Sequence, residues 1–294
     1  MNKMIIIVGP TASGKSDLAM ILAKELNLEI INADAFQIYR EINAGINKPT
    51  SQDLKEVKHH FINNKSINDE WNIKEFQKEI NLLIENNPNK NYIICGGSNL
   101  YIDSIIKNYD LKEIDRNMEF GNMSTVQLWN KLNELDPEEA KKININNEKR
   151  IKQALRIILS LKQLKSEKDK KNKGCIFKYI IISVHVERNK LYEKINNRTI
   201  DMINMNWKGE VEDLIQDSNY KNNNALKAIG YNDVYEAIIS NTNINVEKIQ
   251  QKTRNYAKRQ ITWIRNKFNV DIIYDKEKNN LNEVIKKCKD FLNE

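Results

Sequence analysis

Three observations predict an α/β fold: a phosphate-loop NTPase-like parallel sheet flanked by helices, with a small helical insertion domain. Short apolar runs alternate with stretches of helical periodicity along most of the 294 residues. An uninterrupted G-x-x-x-x-G-K-[ST] segment, residues 9–16, separates the first apolar run from the first helix-like stretch. A polar stretch, Tyr109–Thr125, contains Gly121 and no strand pattern, and it interrupts the alternation before a short helical segment.

The elements follow in chain order. Met4–Val8 is a run of large apolar residues, as a strand buried on both faces requires. Gly9, Pro10, Thr11, Ala12, Ser13, Gly14, Lys15 and Ser16 then form the loop, and Asp17–Leu26 continues as a helix. A strand entering such a turn and leaving as a helix aims backbone N–H groups and the positive helix end at one point. Lys15 adds a point charge there, and the Ser16 hydroxyl is placed to ligate Mg²⁺. The loop therefore reads as a di- or triphosphate site. Whether the phosphate is transferred, hydrolysed or simply leaves is not written in it.

Glu29–Ile31 and Tyr92–Cys95 read as the second and third strands, with a helix over Asn72–Glu85 between them. Thr125–Ile143 is the helical insertion, and helices are expected over Glu148–Leu164, Asn189–Met205, Val246–Phe268 and Leu281–Leu292. Further strands are expected at Ile180–Val184 and Val270–Tyr274. Lys162–Lys173 carries six Lys against Glu167 and Asp169 and reads as a solvated helix end and loop. The expected division is a core of residues 1–110 and 144–294 around an insertion of residues 111–143.

The net charge is +7, from 47 basic and 40 acidic residues, so its distribution is more informative than its size. No run of 18 apolar residues and no signal peptide is present, which points away from a membrane and toward a cytoplasmic protein. Cys95, Cys175 and Cys288 lack C-x-x-C spacing and read as reduced packing residues. The adjacent His59 and His60, among three His in all, do not make a zinc site.

In a doubly wound sheet, ligands bind beyond the carboxyl ends of the strands. Two further segments therefore share a crevice with the loop. After the second strand, Asp34 is placed to ligate Mg²⁺, cap a helix or act as a general base, and Gln37, Tyr39 and Arg40 carry groups that suit a nucleobase. After the third strand, Gly96, Gly97 and Ser98 make either a ligand approach or a tight turn. Near the C-terminus, Lys252–Lys267 holds six basic residues and no acid, with Tyr256, Ile261, Trp263 and Ile264 interleaved. One sign over about four turns favours an acidic polymer, nucleic acid before membrane, although a structural amphipathic helix would look similar. Arg198 stands isolated on a predicted helix and by itself says nothing.

Together these segments resemble the tRNA dimethylallyltransferase (tRNA isopentenyltransferase) family. The resemblance is carried by GPTASGKS at 9–16, ADAFQIYR at 33–40, AGINKP at 44–49, HHFI at 59–62 and CGGSNLY at 95–101, then by LDPEEA at 135–140, NEKRIKQALRI at 147–157, AIGYNDV at 228–234 and TRNYAKRQITWIRN at 253–266. These stretches occur in family order and span nearly the whole chain. The resemblance implies transfer of a dimethylallyl group from its diphosphate to N6 of adenine 37, next to the anticodon, by a Mg²⁺-dependent monomer. It implies a diphosphate held by residues 9–16 and contacted by Arg198, with Asp34 as general base. Asp34, Ala35, Phe36, Gln37, Ser98, the run Lys149, Arg150, Ile151, Lys152 and Gln153, and Arg254, Lys258 and Arg259 on the basic segment are the implied contacts to the tRNA anticodon stem-loop. Ala35 stands where the family usually has Ser, Asn99 where it has Gly, and Gln153 where it has Arg. A small-molecule or nucleoside kinase would use the same loop, but its lid should supply arginines and residues 109–143 offer only Arg116. A nucleotide-gated RNA-binding module would explain the basic segment and leave Asp34 and Gln37 idle.

Overall fold

The computed structural model describes residues 1–115, 117–168, 174–216 and 224–294. Arg116 and residues 169–173 of the lysine-rich run lie outside them. The contacts divide the chain into two compact units, Met1–Ser104 with Phe177–Glu294, and Ile105–Ile176.

The first unit begins with β1 (Lys3–Val8), α1 (Lys15–Leu26), β2 (Glu29–Asn32), α2 (Ser51–Glu56), β3 (His59–His60), α3 (Ile73–Glu85), β4 (Tyr92–Cys95) and α4 (Asn99–Ile106), whose last turn enters the second unit. The second unit continues with α5 (Thr125–Leu135), α6 (Pro137–Ala140), α7 (Glu148–Leu161) and α8 (Lys165–Lys168). The chain then returns through β5 (Lys178–His185), α9 (Arg188–Asn204), α10 (Trp207–Ile215), α11 (Tyr231–Ile239), α12 (Val246–Lys267), β6 (Ile272–Asp275) and α13 (Leu281–Asn293).

The six strands pair in parallel in the order β3-β2-β4-β1-β5-β6. All five strands read from the sequence are present. The sixth, the edge strand His59–His60, has no apolar run to announce it; it pairs with Ile30 and Ile31, and the His60 ring bonds Glu29 Oε2 at 2.7 Å. Ile5, Ile7, Ile93, Ile182 and Val184 alternate onto one face, where Leu18, Leu22 and Ala23 of α1 and Val284, Cys288 and Phe291 of α13 cover them. Met4, Ile6, Ile94 and Ile181 alternate onto the other face and are equally buried. In a parallel sheet whose central strands are buried on both faces, ligands gather at the edge where the strands end. Gly9, Ala33, Gly96 and Val186 follow β1, β2, β4 and β5 at that edge.

The second unit is larger than the 111–143 expected from the sequence. The stripe Ile151, Ala154, Leu155 and Ile158 of α7 buries against Leu128, Leu132, Ala140 and Ile143, so this helix packs with α5 and α6 rather than with the sheet. It ends at Leu161, three residues short of the expected Leu164, because Lys162 takes a left-handed conformation at φ 49°. Among the described residues no helix is long and apolar enough to cross a membrane.

Candidate active site

A cavity of about 600 Å³ opens at the carboxyl edge of the sheet, and all its lining residues belong to the first unit. The loop after β1 forms one wall. Ala12 and Gly14 adopt left-handed backbone conformations, at φ 63° and 88°, and turn the chain back so that α1 starts at Lys15. No side chain caps that helix start, so its N–H groups and positive dipole end serve the cavity. Gly9 has no room for a side chain: a Cβ there would lie 2.7 Å from Ser13 Oγ and 3.3 Å from Val184 Cβ.

Two cations share this wall. The Lys15 ammonium bonds the Pro10 carbonyl at 3.3 Å, and the Arg198 guanidinium donates to the Thr11 hydroxyl. Burial pulls the Lys15 ammonium below its ordinary range; Cys95 and Asp34 oppose that shift and nearby Arg198 reinforces it. Burial likewise lowers Arg198, against the attraction of Asp34. Two desolvated positive charges facing one cavity are costly unless an anion joins them, which is the electrostatic signature of an anion subsite. Arg198 reaches this place because α9 packs Leu191 and Ile195 against Ala257 of α12.

The opposite wall is built by the exits of β2 and β4, which interlock. Ala33 N donates to Cys95 O at 2.9 Å, Ser98 N to Ala33 O at 3.0 Å, and Ala35 N to Ser98 Oγ at 3.1 Å. Only glycine fits at position 96, since a Cβ would sit 2.1 Å from the Ala33 carbonyl oxygen. The paired glycines are thus both a tight turn and a cavity wall. Asp34 Oδ1 accepts the N–H of Phe36 at 2.9 Å and the more distant N–H of Gln37 at 3.4 Å, so one carboxylate oxygen is spent on the turn. Gln37 Nε2 donates to Asn47 O at 2.7 Å. Burial raises the Cys95 thiol to about 11, which leaves it a neutral packing group beside the loop.

Among the expected site residues, the cavity gathers Thr11, Ala12, Gly14, Lys15, Ser16, Asp34, Phe36, Gln37, Ser98, Arg198 and Arg259. Gly9, Pro10 and Ser13 are buried beneath the loop, and Ala35 stands behind Ser98. Lys258 and Arg259 are exposed on α12, over the rings of Tyr192 and Tyr256. Arg254 is held within the fold by Asn196 and Glu247, and Lys252 by the buried Asp233. Lys149, Arg150, Ile151, Lys152 and Gln153 belong to the second unit; Ile151 is fully buried in its core, so its side chain is a packing group and not an RNA contact.

The sequence reading did not single out Gln260. Its Oε1 accepts Thr11 N at 2.7 Å and its Nε2 donates to Gly97 O at 2.9 Å, clamping the two walls together from α12. Tyr256, read as part of the basic helix, also donates to Gly97 O, at 2.7 Å. The available signal was a polar residue inside the stripe Ile249, Ala257, Gln260, Ile264, on the face away from the charges. Glu210 was missed in the same way; its carboxylate accepts the N–H groups of Asn43 and Ala44 at 2.8 and 2.9 Å.

Residues 37–267 match the model of the IPP transferase family. A tRNA dimethylallyltransferase from Malacoplasma penetrans is 51% identical over 296 residues, covering 100% of this chain and 99% of the relative. Another, from Mycoplasmoides gallisepticum, is 41% identical over 277 residues, 91% of this chain and 89% of the relative. Among solved structures, a tRNA isopentenylpyrophosphate transferase from Staphylococcus epidermidis aligns over 100% of this chain and 99% of its own, at 31% identity and a TM-score of 0.72. A eukaryotic dimethylallyltransferase captured acting on tRNA aligns over 94% of this chain and 74% of its own, at 25% identity and a TM-score of 0.80. With the phosphate loop, the half-buried cations and Asp34 gathered at one sheet edge, the chain belongs to the tRNA dimethylallyltransferase family.

Proposed function

We propose that this enzyme transfers the dimethylallyl group of dimethylallyl diphosphate to N6 of adenine 37 in tRNA, releasing diphosphate. The observation that carries the reading is the joining, in one cavity, of a half-buried cationic subsite at Lys15 and Arg198 to Asp34 and Gln37. The diphosphate lies against the N–H groups of residues 12–16, Lys15 and Arg198. The adenine, turned out of its stack, meets Asp34 and Gln37. The N6 lone pair forms a bond to C1 of the dimethylallyl group as the C1–O bond breaks, and the bonding pair leaves with the diphosphate. The N6 proton passes to Asp34. Charge grows on the leaving oxygens, where Lys15 and Arg198 stand ready without reorganisation.

The Ser16 hydroxyl, exposed at the start of α1, suits Mg²⁺, which takes a protein oxygen or two and completes its shell with phosphate oxygens and water. When bound, the metal would neutralise diphosphate charge. Lys258 and Arg259 offer exposed charge to the RNA backbone. In this reading the enzyme works in the cytoplasm as a monomer, its cavity lined by residues of a single compact unit.

The test is transfer from radiolabelled dimethylallyl diphosphate with Mg²⁺ to an unmodified anticodon stem-loop, with ATP run in parallel. Label in the adenine next to the anticodon is the expected result. Phosphate transferred from ATP, with no label in RNA, would overturn the reading.

A further inference from the structure

Gln37 can discriminate a base only if the two ends of its carboxamide do not exchange. The Asn47 carbonyl that meets Nε2 at 2.7 Å can only accept, so the amide end must face it and Oε1 is left as the acceptor at the cavity. The carboxamide is therefore as well oriented as the loop that carries Asn47.

That loop has no helix or strand of its own. Three successive N–H groups in it are taken by side chains from α10 and α11. Glu210 Oε2 accepts from Asn43 and Ala44, and the Tyr231 hydroxyl accepts from Gly45 at 3.2 Å while donating to Glu210 Oε1 at 2.6 Å. The ring of Trp207 closes over the same backbone: a Cβ on Gly45 would lie 2.2 Å from it, and one on Gly230 2.1 Å. Lys48 Nζ ties the loop end to Tyr39 O, Asn43 Oδ1 and Asn63 Oδ1 at 2.6 to 2.8 Å.

We infer that Glu210, with Tyr231, is a positioning residue for base selection: it anchors the 43–47 backbone so that the Asn47 carbonyl presents Gln37 Oε1, an acceptor, to the base. An acceptor there favours a base whose six-position bears an amine, as in adenine, over one bearing a carbonyl, as in hypoxanthine. This inference rests on the prenyl-transfer reading and adds to it that selectivity is set from α10, outside the reacting groups. Losing the anchor frees the carboxamide to turn over and accommodate either base.

The experiment measures binding of two anticodon stem-loops, with adenosine or inosine at the target position, to the wild type and to Glu210→Ala, Glu210→Gln and Tyr231→Phe, with dimethylallyl diphosphate affinity measured for each. The wild type should prefer adenosine by about tenfold or more, the worth of one hydrogen bond against a mismatched polar pair. In Glu210→Ala the ratio should fall to within about threefold while diphosphate affinity holds. Glu210→Gln keeps an acceptor for both N–H groups and should restore the ratio. A general structural defect would weaken both RNAs and the diphosphate together and leave the ratio alone. An unchanged ratio in Glu210→Ala, or equal loss in Glu210→Gln, overturns the inference. If Glu210→Ala does not fold, Tyr231→Phe decides: it removes the acceptor for Gly45 and should lower the ratio, and no change refutes the role. A wild type that transfers no prenyl group would instead sink the underlying reading.

Discussion

Asp34→Asn separates the chemical role of this residue from its structural one. In the structure Oδ1 accepts the N–H groups of Phe36 and Gln37, at 2.9 and 3.4 Å. An asparagine keeps an oxygen in that position, so the turn after β2 survives and the stability change should stay below about 0.5 kcal/mol, the ordinary range for a change that breaks no contact. What disappears is a proton acceptor. Loss of a general base should lower kcat by about 10²–10⁴, or about 3–5 kcal/mol of barrier. The electrostatics fix the sign of a second effect. Asp34 is the anion that partly offsets Lys15 and Arg198, so its neutralisation leaves the diphosphate subsite more positive and its affinity should hold or rise. Single-turnover transfer at saturating stem-loop RNA, beside calorimetric titration with diphosphate, reads both quantities. Near-normal single-turnover rates would remove Asp34 from proton transfer; a collapse of diphosphate binding would show that the residue is structural to the subsite.

Three other outcomes follow from the same geometry. Gln260→Leu strands the buried Thr11 N–H, while Gly97 O keeps Tyr256, so denaturant unfolding should show a loss of about 1–3 kcal/mol together with weakened diphosphate binding; intact affinity would mean the clamp does not shape the loop. Burial lowers Lys48 from its ordinary 10.5 to about 8, so between those pH values the unfolded chain holds more protons than the folded one. Stability relative to Lys48→Met should therefore grow in the wild type's favour as pH rises from about 8 toward 10.5, and a narrowing gap in pH-dependent denaturation would contradict that sign. Lys258→Ala and Arg259→Ala should each reduce the slope of log affinity for tRNA against log salt by about 0.7–0.9, whereas Arg254→Ala, whose partners are Asn196 and Glu247, should cost stability more than slope; equal slopes for all three variants would defeat the distinction.

Central strands were legible because a strand buried on both faces must be apolar without interruption, as Met4–Val8 and Tyr92–Cys95 are. His59–His60 was not, because a two-residue edge strand is specified by its neighbour β2 and not by its own side chains. The phosphate loop was legible because its shape is a local backbone property, tied to the left-handed Gly14 at the start of α1. The insertion boundary was misplaced because periodicity shows that α7 has an apolar stripe but not which surface receives it. The basic helix illustrates the same limit: its charges are visible in sequence, yet Lys252 and Arg254 are consumed by Asp233, Asn196 and Glu247.

By itself, then, the amino-acid sequence determined the strand-loop-helix start, the parallel sheet, the carboxylate at the second strand's end and the family. Tertiary structure alone decided that Gln260 bonds Thr11 from 249 residues away and ties it to Gly97, and that Glu210 anchors the backbone at Asn43 across 167. The physical reason is that apolar runs and tight turns are enforced by residues adjacent in the chain, whereas a lone polar side chain acquires its role only from the partner that packing brings within hydrogen-bonding distance.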